Sequence, residues 1–331
     1  YTFLVNGHGP RDNWTGLFKP GERVRLRIIN ASAMTFFNVR IPGLKMTVVQ
    51  ADGLNVRPVE IDEFQIGVAE TYDVIVTPTD DRAYTFVGEA TDRSGMARAT
   101  LAPRAGMAAE VPPLRKRPLT TMKDMGMGGM DGMDMSGGSM AGMDHAAMGH
   151  GAQTMDMLGT TPAPDTPMPE MDMSGSTPAP AGGAMAGMDH GGMAGMDMSS
   201  MKMRDFSAAP QVKRGPGVQT ISPMPVDRTG EPGQGLEDVG HKVLTYRDLI
   251  AVDRNPDVRA PNRALDIHLT GNMERFMWSF DGVKMSDHHT PIPFLEGERV
   301  RVNLINDSMM SHPIHLHGHF FELVTGHGDH A

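Results

Sequence analysis

Gly297-Glu298-Arg299-Val300-Arg301-Val302-Asn303-Leu304-Ile305-Asn306-Asp307-Ser308 is the stretch on which the fold turns. Polar and apolar residues alternate as far as Leu304, the pattern of a strand with one wet face and one buried face. A near copy, Gly21-Glu22-Arg23-Val24-Arg25-Leu26-Arg27-Ile28-Ile29-Asn30-Ala31-Ser32, lies close to the start of the chain. Two domains that share one fold and one turn-strand-turn element account for the repeat. Carried forward at the same offset, the repeat sets Phe36, Val39 and Ile41 opposite His312, His315 and His317. The first copy is apolar wherever the second carries an imidazole. The first domain is therefore expected to be a scaffold without metal, and the second to hold the chemistry.

Four of the fourteen histidines fall in His312-Pro313-Ile314-His315-Leu316-His317-Gly318-His319. On an extended strand His315 and His317 point to one face, and paired imidazoles suit copper, zinc, iron or nickel. His312 sits before a proline, where such a strand has not begun, and is free to face a different centre. His241, His268, His327 and His330 stand alone and read as solvated or core histidines. The adjacent His288 and His289 are left without a role.

The motif resembles the His-Pro-x-His-Leu-His-Gly-His signature of the multicopper oxidases, which are built from cupredoxin domains. That resemblance implies an all-β fold of two cupredoxin-like Greek-key β-sandwich domains, the second incomplete. It also implies copper of types 1, 2 and 3 as cofactor. His312 would serve the type 1 copper, His315 the type 2 copper and His317 the type 3 pair; His319 matches the motif without being a ligand. A type 1 site needs a thiolate, and the chain has no cysteine. Tyr1-Thr2-Phe3-Leu4-Val5 reads as a strand already under way, and Ala331 follows the motif closely. The expectation is thus a fragment that lacks a first domain and a downstream His-Cys-His segment.

The short alternating runs at Arg23–Ile29, Phe64–Val68 and Tyr72–Val76 assign residues 1–104 to a β-sandwich. Similar runs at Arg263–Leu269, Phe276–Phe280 and Arg299–Ile305 assign residues 241–331 to the front of the copper-binding domain. Between them, residues 105–240 read as a Met-, Gly- and Pro-rich linker whose composition cannot offset the entropy of ordering. This linker holds much of the excess of methionine, 31 residues in all. Two units within it, Met143-Asp144-His145-Ala146-Ala147-Met148 and Met188-Asp189-His190-Gly191-Gly192-Met193, repeat soft thioether donors beside an imidazole and a carboxylate. Thioethers prefer Cu(I), so Met143, Asp144, His145, Met148, Met188, Asp189, His190 and Met193 are candidate ligands. A Met-rich insertion of this kind is similar to that of the copper-resistance members of the family.

A formal net charge of −10 and a pI near 5.7 argue against nucleic acid as partner. No apolar run approaches membrane-spanning length. The resemblance implies a periplasmic oxidase that takes electrons from Cu(I) or a small reductant and gives them to dioxygen. A copper-sequestering protein without turnover and a laccase-like phenol oxidase are the two other readings. Met309 and Met310, just before the motif, are candidates to contact substrate copper.

Overall fold

The computed structural model describes residues 2–121, 123–126, 203–287 and 291–330. Among these the chain is all-β. Nine strands lie in the first part: β1 (Thr15–Leu17), β2 (Val24–Ile29), β3 (Phe37–Arg40), β4 (Met46–Ala51), β5 (Leu54–Ile61), β6 (Glu63–Ile66), β7 (Thr71–Val76), β8 (Tyr84–Ala90) and β9 (Met96–Ala102). They form two sheets, ordered β1-β9-β8-β3-β6 and β2-β7-β4-β5. The period-two pattern explains the core. Tyr72, Val74 and Val76 of β7 and Met46 and Val48 of β4 meet Val39, Phe64 and Ile66 of the other sheet in one buried cluster. Ile41 belongs to the same cluster, so two of the three residues that correspond to the histidines are core residues here. Asp52 and Gly53 join β4 to β5 with φ of 45° and 82°, the two-residue hairpin turn whose twist matches the strands.

The second part is a single sheet, ordered β12-β11-β10-β13, of β10 (Arg263–Asn272), β11 (Met277–Phe280), β12 (Val283–Lys284) and β13 (Val300–Asn306). Strand β13 runs parallel to β10, from Val300 opposite Arg263 to Asn306 opposite Leu269. The repeat read in the sequence is also a repeat of backbone and hydrogen bonds. Gly21 and Gly297 both have positive φ, 84° and 74°. The Glu22 carboxylate accepts from the Lys19 amide at 2.8 Å, and the Glu298 carboxylate accepts from the Leu295 amide at 3.2 Å. The burial differs. In β2 the apolar residues Val24, Leu26 and Ile28 pack against the core, whereas in β13 Val302 and Leu304 are 38% and 47% exposed. Among the described residues no second sheet covers that face.

Two sequence expectations need correction. The opening residues 2–4 lie outside any strand, and Val5 makes only an isolated bridge with His8 across the Asn6-Gly7 turn. The linker assigned by composition is also too generous at its ends, because both flanks pack on the sheets. Arg115 inserts between the fully buried Glu63 and Glu89, at 2.6 Å from a carboxylate oxygen of each. Ala209, Val212, Val218 and Ile221 form a small buried cluster, and Leu236 is buried as well. Composition misses this because a few apolar residues suffice for a small cluster of their own, and because Arg115 is held by buried carboxylates rather than by apolar packing.

Candidate metal centre

The centre begins where β13 stops. The Asn306 side chain closes a tight turn, with its amide nitrogen donating to the Met310 carbonyl at 2.6 Å. Its Oδ1 accepts from the Ser308 amide at 3.0 Å and from the Ser308 hydroxyl at 2.9 Å. The first copy builds the same turn from Asn30 and Ser32, with distances of 3.1 and 2.7 Å. In the second copy the turn carries an imidazole: Ser308 Oγ lies 2.6 Å from His312 Nε2. Trp278 of β11 meets the His312 ring edge to face, with centroids 5.3 Å apart. This partial burial lowers the pKa of His312 and favours the neutral imidazole, the form that ligates metals.

His315 and His317 stand exposed, with ring centroids 4.8 Å apart and planes perpendicular. The two-residue spacing does bring their rings together, but the strand expected to carry them is absent: residues 312–316 belong to no sheet. Pro313 lacks an amide hydrogen, and no neighbouring strand among the described residues supplies a ladder for this segment. Among the described residues no group of three or more His, Cys, Asp or Glu side chains is placed to hold a metal. His312 thus stands apart from the His315/His317 pair. The donor chemistry suits copper as far as it goes, imidazole being a good copper ligand, but no residue of the chain supplies a thiolate.

Two supporting residues were not singled out from the sequence. Asp307 is buried and accepts from the Ser222 amide at 2.8 Å, with His268 Nδ1 at 2.7 Å from its other oxygen. Burial pushes its carboxyl upward against the pull of Ser222 and His268. Ser308 is the other; its only sequence signal is its place in the repeat opposite Ser32. His268 is therefore a core histidine with a carboxylate partner. His241 pairs with buried Glu63 at 2.8 Å, and His327 and His330 meet the carbonyls of Arg247 and Ala251.

A cleft of about 210 Å³ opens beside the motif, with Met309, Met310 and Ser311 on one wall and Phe36, Glu70 and Tyr246 among its other lining residues. Glu70 is held by the Tyr246 hydroxyl at 2.5 Å and the Gly67 amide at 2.5 Å. Burial pushes its carboxyl upward, opposed by those two bonds. The candidate ligands Met143, Asp144, His145, Met148, Met188, Asp189, His190 and Met193 lie outside the described residues, as do His288 and His289. The residues that flank residues 127–202 are described. The Gly126 carbonyl accepts from the Met224 amide at 3.0 Å, and the Met203 carbonyl accepts from the Ile221 amide at 2.8 Å. Both anchor points therefore fall on the run 221–224, one residue of which, Ser222, binds Asp307.

A two-sheet cupredoxin-like domain, followed by a sheet that ends in a His-Pro-x-His-x-His motif, defines a class. Sequence profiles described as multicopper oxidase match residues 1–106 and 259–331, together more than half of the chain. The chain belongs to the multicopper oxidase family. It is 50% identical over 337 residues to copper resistance protein A of Escherichia coli, which covers 99% of this chain and 51% of that protein. To copper resistance protein A of Pseudomonas syringae pv. tomato it is 51% identical over 329 residues, 99% of this chain and 52% of that protein. The multicopper oxidase MmcO of Mycobacterium tuberculosis is 41% identical over 104 residues, covering 31% of this chain and 20% of its own. The chain spans about half the length of the two copper resistance proteins.

Proposed function

We propose that this chain is the copper-handling part of a copper-dependent oxidase of copper resistance, which oxidises Cu(I), or another small reductant, and reduces dioxygen to water. One observation carries the reading: the end of β13 seats His312 between Ser308 and Trp278, while Met309 and Met310 face an adjoining cleft. His312 would bind the electron-accepting type 1 copper, His315 the type 2 copper and His317 the type 3 pair, each completed by residues outside this chain. Copper bound there supplies the one-electron chemistry and the reduction of dioxygen. The chain's own residues supply donors, orientation and access. The thioethers of Met309 and Met310 suit Cu(I), and the net charge of −10 favours approach of a cation. The Met-rich segment, through the units around His145 and His190, would gather Cu(I) and raise its local concentration for the rest of the protein, because it is joined to the same chain at both ends. The resemblance to copper resistance proteins supports a periplasmic setting; among the described residues no helix is long and apolar enough to cross a membrane.

The test deletes residues 127–202 from the protein, keeping Gly126 and Met203 as anchors. Cuprous oxidation at limiting Cu(I) should fall while oxidation of a phenol survives. Loss of both activities with the fold intact, or loss of neither, would count against Cu(I) capture by this segment. The second reading, copper sequestration without turnover, predicts copper binding with no oxygen uptake.

A further inference from the structure

The hydrogen-bond network around Ser308 decides which nitrogen of His312 is free. A serine hydroxyl has one hydrogen and can accept two bonds. Asn306 is oriented without ambiguity: its Oδ1 accepts from the Ser308 amide and its amide nitrogen faces the Met310 carbonyl. The contact of 2.9 Å between Ser308 Oγ and Asn306 Oδ1 therefore joins two oxygens, of which only the hydroxyl can donate. In the first copy the Ser32 hydroxyl lies 2.7 Å from Asn30 Oδ1 and 2.8 Å from the Thr35 carbonyl, and among the described residues it has no imidazole beside it. The Ser308 hydrogen goes to Asn306 Oδ1, the nearer acceptor, rather than to the Met310 carbonyl at 3.3 Å, so Ser308 Oγ accepts from the Met310 amide at 3.3 Å and from one further donor. That donor is His312 Nε2, at 2.6 Å. The alternative, in which Ser308 donates to His312, leaves the lone pairs of Ser308 and Asn306 facing each other across 2.9 Å.

We infer that Ser308 is a positioning residue that holds His312 as the neutral tautomer protonated at Nε2 and so presents Nδ1 to a metal. The inference rests on the copper reading of His312 and adds to it the residue that fixes the ring. The repeat shows how the device is built. The Asn-Ser bonds of Asn30 and Ser32 recur at Asn306 and Ser308, although the first copy closes on the Thr35 carbonyl and the second, one residue tighter, on that of Met310. Opposite His312 the first copy has Phe36, which has no ring N–H to donate. One change of side chain on a shared turn thus makes the scaffold's turn into a holder for an imidazole. A partner that fixes the far nitrogen of a ligating histidine commonly contributes about 10–100-fold to metal affinity.

The test is the ¹⁵N spectrum of the histidine rings in the metal-free chain, with His312 assigned by the signals lost in His312→Gln. The expected result above the pKa of the ring is a protonated Nε2 and an unprotonated Nδ1. Ser308→Ala should release the ring into a mixture of tautomers, and Ser308→Thr, which keeps the hydroxyl, should restore the single form. Added Ag(I), a redox-silent stand-in for Cu(I), should shift Nδ1 of His312 in the parent and bind about tenfold more weakly at this ring in Ser308→Ala. A hydrogen on Nδ1 in the parent chain would overturn the inference without any variant, and so would a Ser308→Ala tautomer unchanged from the parent. If the tautomer is as expected and Ag(I) never reaches His312, the copper reading of that residue fails while the role of Ser308 in fixing the ring stands.

Discussion

At the scale of single residues, the strongest commitment outside the candidate metal centre is the ion cluster around Arg115. Glu63 and Glu89 are fully buried and share its guanidinium, with Arg40 and Arg93 close by. Arg115→Ala would leave two buried carboxylates short of their main counter-charge. It should destabilise the chain by about 3–5 kcal/mol, read as a lower midpoint in urea unfolding. The pH dependence follows from Glu89. Burial alone would raise its carboxyl, but the backbone and guanidinium bonds from Arg115 outweigh this and hold it below the usual carboxylate range. Its folded pKa is thus depressed, so its contribution to stability is present above the unfolded value and is lost as pH falls through the folded one. Urea midpoints measured from neutral pH downward should decline in acid for the parent and less steeply for Glu89→Gln. The histidine motif was legible in the sequence because its spacing is rare. Ser308 and Asp307 were not, since a serine and an aspartate after a strand are common turn residues and only their partners distinguish them.

At the scale of elements, the period-two alternation located β2, β6, β7, β10, β11 and β13, because it is imposed by strand geometry itself. Burial was not legible in the same way. Strands β2 and β13 have nearly the same sequence, yet one packs in a core and the other exposes Val302 and Leu304, since burial depends on what lies opposite. Nor could the sequence show that residues 312–316 would leave the sheet, for a strand needs a partner as well as a pattern. The exposed face of β13 predicts that this chain, taken alone, enhances the fluorescence of a hydrophobic dye, and that Leu304→Lys reduces the signal without changing its circular dichroism. The Asp52-Gly53 turn offers a cleaner test of local conformation. A Cβ at Gly53 meets no atom within 4 Å, but its φ is 82°. Gly53→Ala should therefore cost about 1–2 kcal/mol through backbone strain alone, measured by thermal or urea unfolding.

At the scale of the whole molecule, the repeat and the anchored insertion describe one design. A scaffold sandwich and a histidine-bearing sheet share a turn-strand-turn unit, and the flanks of the Met-rich segment return to a single run at 221–224, beside Asp307. Fold class and the two β regions were legible because hydrophobic alternation repeats over many residues. The packing of residues 203–240 was hidden by their Gly and Pro content. Oxygen uptake by the copper-loaded protein, with Cu(I) as the only reductant, tests the oxidase reading most directly. The reading predicts that Cu(I) is oxidised as oxygen is consumed, and that His315→Gln abolishes the uptake while copper is still retained by the Met-rich segment. Copper bound at full stoichiometry with no oxygen consumed would contradict it and leave sequestration in its place.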